Sequence, residues 1–135
     1  MNGFLTIGEV AQSCGLKPSA IRFYESEELL APARRQSGRR LYSEDVYDRL
    51  ALIRLAREAG FRIAEIRMLI RDFPAEAPAR ECWSALVAGK RREIGDKLRE
   101  LTRMNELLEM LEDCRCPDLE TCGRVASSRR ARMRR

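Results

Sequence analysis

Five cysteines are the residues most able to do chemistry: Cys14, Cys82, Cys114, Cys116 and Cys122. Three of them fall in the segment Asp113-Cys114-Arg115-Cys116-Pro117-Asp118-Leu119-Glu120-Thr121-Cys122. Thiolates that close together suit a soft, thiophilic ion, of the copper, zinc or mercury kind. Arg115 is expected to help hold them ionised. Oxidation of the same thiols, without a metal, is the other chemistry this cluster supports. A loop with no sensing role stands as a third reading. An odd number of cysteines argues against a disulfide framework. Cys14 lies on the apolar side of the first expected helix and reads as core. Cys82, beside Trp83, is either a packing residue or a further metal ligand. The chain has no histidine, no Gly-rich phosphate loop and no paired carboxylates in a recognisable pocket. Catalysis therefore has little to work with, and an enzyme is not expected.

A second set of residues suits nucleic acid. Lys17, Ser19, Arg22 and Tyr24 lie around one exposed side of a short helix, with groups that donate to phosphate oxygens; Arg can also read a guanine edge. Arg34, Arg35, Arg39, Arg40 and Tyr42 follow in a basic hairpin. Bulk charge does not carry this reading. Residues 1–72 hold 12 Lys/Arg against 10 Asp/Glu, and residues 73–123 hold 8 against 11. Residues 124–135 hold 6 Arg and no acid, so they supply the excess behind the net +5. Placement, not total charge, must make the case.

The elements that position these groups are mostly helical. Thr6 followed by Ile7, Val10, Ala11 and Cys14 reads as a capped helix stopped by Gly15. Pro18 opens a second, with Ile21 and Leu29 inward. Two helices split by a turn of about three residues form a helix-turn-helix. Residues 31–42 predict a two-stranded wing with Gly38 at or near its tip. Ser43-Glu44-Asp45 starts a third helix, with Ser43 as its cap, and Gly60 ends it. Ile63, Ile66, Leu69 and Ile70 mark a fourth, closed by Phe73-Pro74. From residue 80 to 112 nothing breaks the helical pattern, and Val87, Ile94, Leu101 and Leu108 recur every seven residues. One narrow apolar stripe on so long a helix needs a partner helix; no second long helix is in view, so a homodimer is expected. The fold class is thus mainly α. Its expected parts are a winged helix-turn-helix DNA-binding domain at 1–73, a linker at 74–79, a dimerisation helix at 80–112, a Cys-rich effector loop at 113–123 and a basic disordered tail at 124–135. No apolar run reaches the roughly 18 residues of a membrane span, so a cytoplasmic protein is expected.

The segments LTIGEVAQSCGLKPSAIRFYE, GRRLY and SEDVYDRLALIRLAREAGFRIAEIRMLI together resemble the MerR family of bacterial transcription regulators. The resemblance implies a homodimer joined by an antiparallel pair of the long helices. It implies a double-stranded operator within an over-long promoter spacer, bent and untwisted so that RNA polymerase engages both promoter elements. Cys114 and Cys122 enclose seven residues, similar to the two-thiolate loop of copper- and gold-sensing members. Divalent-metal members add a Cys from the partner's long helix, for which Cys82 is the candidate. Cys-x-Cys-x5-Cys also resembles the last three thiolates of the iron–sulfur, SoxR-like branch. That branch has a fourth Cys where this chain has Leu111, so a [2Fe–2S] site is one thiolate short. Glu28 stands where the family usually has Gly. It leaves the local turn geometry open and places an acid close to the expected phosphate path.

Overall fold

The computed structural model describes residues 3–74 and 76–134. Met1 and Asn2 of the expected first domain, Ala75 of the expected linker and Arg135 of the expected tail lie outside the described residues. Element order is β1 (Leu5–Thr6), α1 (Ile7–Cys14), α2 (Pro18–Ser26), β2 (Arg34–Gln36), β3 (Arg39–Tyr42), α3 (Asp45–Glu58), α4 (Ile63–Asp72), α5 (Ala79–Glu112) and α6 (Leu119–Met133). The chain divides into two compact units, Met1–Arg91 and Arg92–Arg135.

In the first unit, α1 opens on a capping box. Thr6 Oγ1 accepts from the Glu9 N–H at 3.3 Å, and Glu9 Oε2 accepts from the Thr6 N–H at 2.8 Å, so two otherwise unpaired donors are satisfied. Gly15 ends α1 at φ 64, the left-handed backbone that a residue without Cβ adopts freely. Pro18 then pre-sets the first turn of α2. The result is the helix-turn-helix the sequence predicts. Val10, Ala11, Ile21, Leu29, Leu30, Val46, Leu50, Ile53, Ala56 and Ile66 form one buried cluster that locks α1 and α2 onto α3 and α4.

The wing forms where expected. β2 pairs antiparallel with β3, with Arg34 opposite Leu41 and Gln36 opposite Arg39. Ser37 (φ 52) and Gly38 (φ 76) make the two-residue turn between them. Positive φ at both positions matches the right-handed twist of the flanking strands. A third strand, β1, pairs with β3 on its other side. Two residues leave no periodicity to read, so the sequence does not announce it.

The start of α3 departs from expectation. Helix begins at Asp45, and the Ser43 hydroxyl donates to the Asp45 carboxylate rather than accepting from the backbone. The neighbouring acid competes for the hydroxyl. Asp72 ends α4 before extended Phe73, because a residue preceding proline is pushed out of the helical region. Helix α5 starts at Ala79, one residue earlier than expected, with the Glu81 and Cys82 N–H groups donating to the Pro78 carbonyl at 3.0 and 3.2 Å. Its first turns pack on the core through Trp83, whose ring lies 5.7 Å from that of Phe61. Lys90, 7% exposed, ends this contact. Its Nζ lies 3.1 Å from Glu65 Oε1 and 5.5 Å from the Phe61 ring centre.

In the second unit, α5 runs on to Glu112 and exposes its apolar residues, among them Ile94, Leu98, Leu101, Leu108 and Leu111. The expectation of a disordered tail from residue 124 is corrected: α6 continues through Met133. Asp118 caps it, its Oδ1 accepting from the Thr121 N–H at 2.7 Å, and the Ala and Arg residues that follow are good helix formers. Low hydrophobicity and high charge, which favour disorder, are equally compatible with a solvated helix. No helix among the described residues is long and apolar enough to cross a membrane.

Candidate nucleic-acid interface and thiolate centre

The exposed side of α2 presents Ser19 and Arg22 one turn apart, with Lys17 exposed at the N-cap. A helix N-terminus carries free N–H groups and partial positive charge, which add to those side chains toward an anion. Tyr24 is half-buried and packs against the core, its ring 6.0 Å from that of Phe23. Sequence reasoning passed over Phe23, which is 48% exposed. An aromatic at that position reads as core unless the helix is already oriented.

On the wing, Arg34, Arg35 and Arg39 are exposed, with the Arg34 guanidinium 5.2 Å from the Phe4 ring centre. Tyr42 is corrected as an interface residue. It is 4% exposed, and its hydroxyl donates to Glu25 Oε2 at 2.9 Å. Burial, then the Glu25 hydrogen bond and charge, push its hydroxyl up to about 12. Glu25, at the far end of α2, also accepts from the Ala33 N–H at 3.2 Å and lies 3.5 Å from Arg40 Nε. One carboxylate thereby ties α2 to β3 and to the loop before β2, setting where Arg22 stands relative to the wing. Arg40 is drawn inward by this pairing, with its side chain 32% exposed.

Glu27 and Glu28 tie the same helix to α4. Arg67 Nε donates to the Glu27 carbonyl at 2.8 Å and its guanidinium pairs with the Glu27 carboxylate. Arg71 pairs with Glu28. Glu28 is left-handed, at φ 63, which explains why glycine suits this position.

The second unit brings the three clustered cysteines together. Their sulfurs all lie within 4.8 Å of one another, a grouping that could hold a metal ion. Cys114 Sγ is 3.9 Å from Cys122 Sγ. Cys114 is held in the turn after α5 by its N–H to the Leu111 carbonyl at 3.2 Å, and Cys122 in the first turn of α6 by its N–H to the Asp118 carbonyl at 3.1 Å. The backbone N–H of Cys116, followed by the thiols of Cys116 and Cys122, hold the Cys114 thiol below its ordinary range. Arg115, expected to do this, is exposed and is not among the causes; a solvated guanidinium is screened. The hydrogen bond with Cys114, burial and the charges of Cys114 and Cys122 push Cys116 up to about 11. An ion bound here would find its three sulfur donors already gathered.

Cys82 belongs to the first unit. Its thiol lies 4.0 Å from the Ala77 carbonyl, and with Trp83, Phe73, Leu69 and Ile70 it lines an open cleft of about 410 Å³. Cys14 is half-buried against the core, as its helix position predicts.

Residues 5–72 match the model of the MerR HTH family regulatory protein, and residues 47–111 the model named MerR, DNA binding. An HTH-type transcriptional regulator of Pseudomonas aeruginosa is 38% identical over 124 residues, spanning 86% of this chain and 94% of its own. The chain belongs to the MerR family. It is a DNA-binding transcription regulator of the MerR type. The mercuric resistance operon regulatory protein of Bacillus cereus is 36% identical over 117 residues, covering 83% of this MerR regulator and 85% of its own length. The crystal structure of PbrR691 from Ralstonia metallidurans in complex with lead(II) superposes with a TM-score of 0.68 at 35% identity, over 84% of this chain and 90% of that one. The relatives are regulators, and none of these comparisons indicates an enzyme.

Proposed function

We propose that this MerR regulator senses a thiophilic metal ion at Cys114, Cys116 and Cys122 and converts its binding into distortion of promoter DNA. The observation that carries the reading is the gathering of three sulfurs within 4.8 Å. The 3.9 Å between the Cys114 and Cys122 sulfurs suits one soft ion bound at about 2.3 Å from each thiolate. A mercuric-resistance regulator and a lead(II)-complexed regulator among the similar proteins favour the same class of ion. Copper-, zinc- and mercury-like ions all fit thiolate donors. A [2Fe–2S] cluster asks for four ligands, and the cluster offers three.

Lys17 at the N-cap of α2, with Ser19 and Arg22 of the helix, enters the major groove in this proposal, while Arg34, Arg35 and Arg39 of the wing follow the phosphates. Arg40 adds positive charge from its place beside Glu25, and Tyr24 braces the helix rather than reaching a base. The exposed stripe Ile94, Leu98, Leu101 and Leu108 packs against the same stripe of a second copy, since leaving so many leucines in water is costly. The dimer holds a two-fold operator, and the metal-bound form reshapes the spacer for RNA polymerase.

The test replaces Cys114, Cys116 and Cys122 together with Ser. Equilibrium dialysis against Hg(II) and against Pb(II), with transcription from the cognate promoter, reads the result. Loss of binding and of metal-dependent transcription, with operator affinity within about two-fold of the parent, is the expected outcome. Metal-dependent transcription that survives the triple change would falsify sensing at this loop.

A further inference from the structure

We propose that Cys114 and Cys122 also form a reversible disulfide under peroxide, and that this bond switches the loop off as a metal site. The proposal rests on the metal reading for its consequence, but on separate observations for the bond itself. The two sulfurs are 3.9 Å apart, so closing to a bond of about 2.05 Å needs a movement of about 2 Å. They lie at the flanks of a short turn between α5 and α6, where the backbone can give that distance without disturbing a core. Cys114 is exposed and Cys122 half-buried. Peroxide therefore reaches Cys114 first, and the second sulfur waits beside it, sheltered from over-oxidation.

The steps balance. The Cys114 sulfur attacks one oxygen of hydrogen peroxide; an S–O bond forms, the O–O bond breaks, and the departing oxygen leaves as water with the thiol proton. The Cys122 sulfur then attacks the Cys114 sulfur; the S–S bond forms, the S–O bond breaks, and a second water leaves with the Cys122 proton. Two thiols lose two electrons, which reduce one peroxide to two waters. Two of the three donors are then consumed, and Cys116 alone cannot hold the ion. Cys116 stays a thiol, and an added dithiol reductant reopens the bond by thiol–disulfide exchange.

The experiment uses the full chain, reduced and then treated with hydrogen peroxide with and without prior Hg(II). The expected result is a loss of two mass units, a peptide linking Cys114 to Cys122, full reversal by dithiothreitol, and protection by Hg(II). Oxidised protein should lose Hg(II) binding at the loop by at least 100-fold. C116S should still form the bond, and C114S and C122S should not. A linkage through Cys116 or Cys82, a bond between two chains, or sulfinic acid with no linkage would overturn the proposal. The two readings fail separately. Reduced protein that does not bind Hg(II) but forms the Cys114–Cys122 bond defeats metal sensing and the gating consequence, leaving the disulfide. Reduced protein that binds Hg(II) but forms no bond defeats this proposal and leaves metal sensing.

Discussion

Glu28 occupies left-handed backbone at φ 63, where an L side chain costs about 1–2 kcal/mol. Against that stands its ion pair with Arg71, whose partners are 63% and 65% exposed. A pair so exposed contributes about 0–1 kcal/mol, so the strain is the larger effect. Glycine also adds about 0.4–1 kcal/mol of unfolded-chain entropy to be lost on folding, so Glu28→Gly is expected to stabilise the protein by only about 0.3 kcal/mol, read as a small upward shift in Tm. A fall in Tm would mean that the Arg71 pair and the added chain entropy together outweigh the backbone strain. Cys114, Cys116 and Cys122 were legible as a cluster because sequence proximity limits how far apart they can be. Tyr42 was not legible as a buried residue. Its neighbours Arg39 and Arg40 suggest a DNA-facing strand, and only the pairing that sets Leu5 opposite it turns its side chain inward toward Glu25.

At the scale of elements, the join between α4 and α5 is an electrostatic one. Glu65 accepts from the Arg62 N–H at 3.1 Å, from Arg62 Nε at 2.8 Å and from Lys90 Nζ at 3.1 Å. Burial alone would push its carboxyl up. Hydrogen bonds from the Arg62 side chain and backbone and from Lys90, with the Lys90 charge, overcome this and bring it down to about 2. The folded value lies below the ordinary 4.5, so the stabilisation is complete above about pH 4.5 and is lost as pH falls toward 2. Glu65→Gln should remove it and cost about 2–3 kcal/mol at neutral pH. Denaturant titration at pH 7 and pH 3 checks this, with the difference between parent and variant shrinking at the lower pH; an equal difference at both would show that charge is not what joins the helices. The sequence displays Glu65 and Lys90 as ordinary helix-surface charges. Twenty-five residues separate them, and no local pattern pairs groups at that distance.

For the whole molecule, the proposed function requires a two-fold arrangement and α2 as the element that enters the groove. Leu101→Lys puts a charge on the exposed stripe of α5 in each copy of a dimer. Association should weaken by at least about 100-fold, measured by sedimentation, while α-helical signal is retained. Undiminished association would place the interface elsewhere. Arg22→Ala and Arg35→Ala should differ in kind. The first is expected to lower discrimination between operator and random DNA by about 1–3 kcal/mol. The second should weaken both alike and lower the salt slope by about 0.9 for each phosphate no longer neutralised. Anisotropy titrations over a range of salt separate them, and equal losses on both DNAs for Arg22→Ala would reduce that residue to a phosphate contact.

The sequence by itself determined the local elements: the Thr6 cap, the Gly15 turn, the Ser37-Gly38 wing tip, the apolar spacing of α5 and the proximity of the cysteines. Each depends on backbone preference or periodicity within about one helical turn to a few turns, which a single chain displays without folding. Tertiary structure decided what depends on groups meeting across elements. Glu25 joins α2 to the wing, Glu65 and Lys90 join α4 to α5, and Tyr42 is turned inward onto Glu25. It also brought the Cys114 sulfur to 3.9 Å from that of Cys122. The turn that does so is set by the end of α5 and the Asp118 cap of α6, a helix that begins inside the expected loop at 113–123 and runs on through the segment expected to be disordered. The thiols were visible in the sequence, and the geometry that makes them one centre was not.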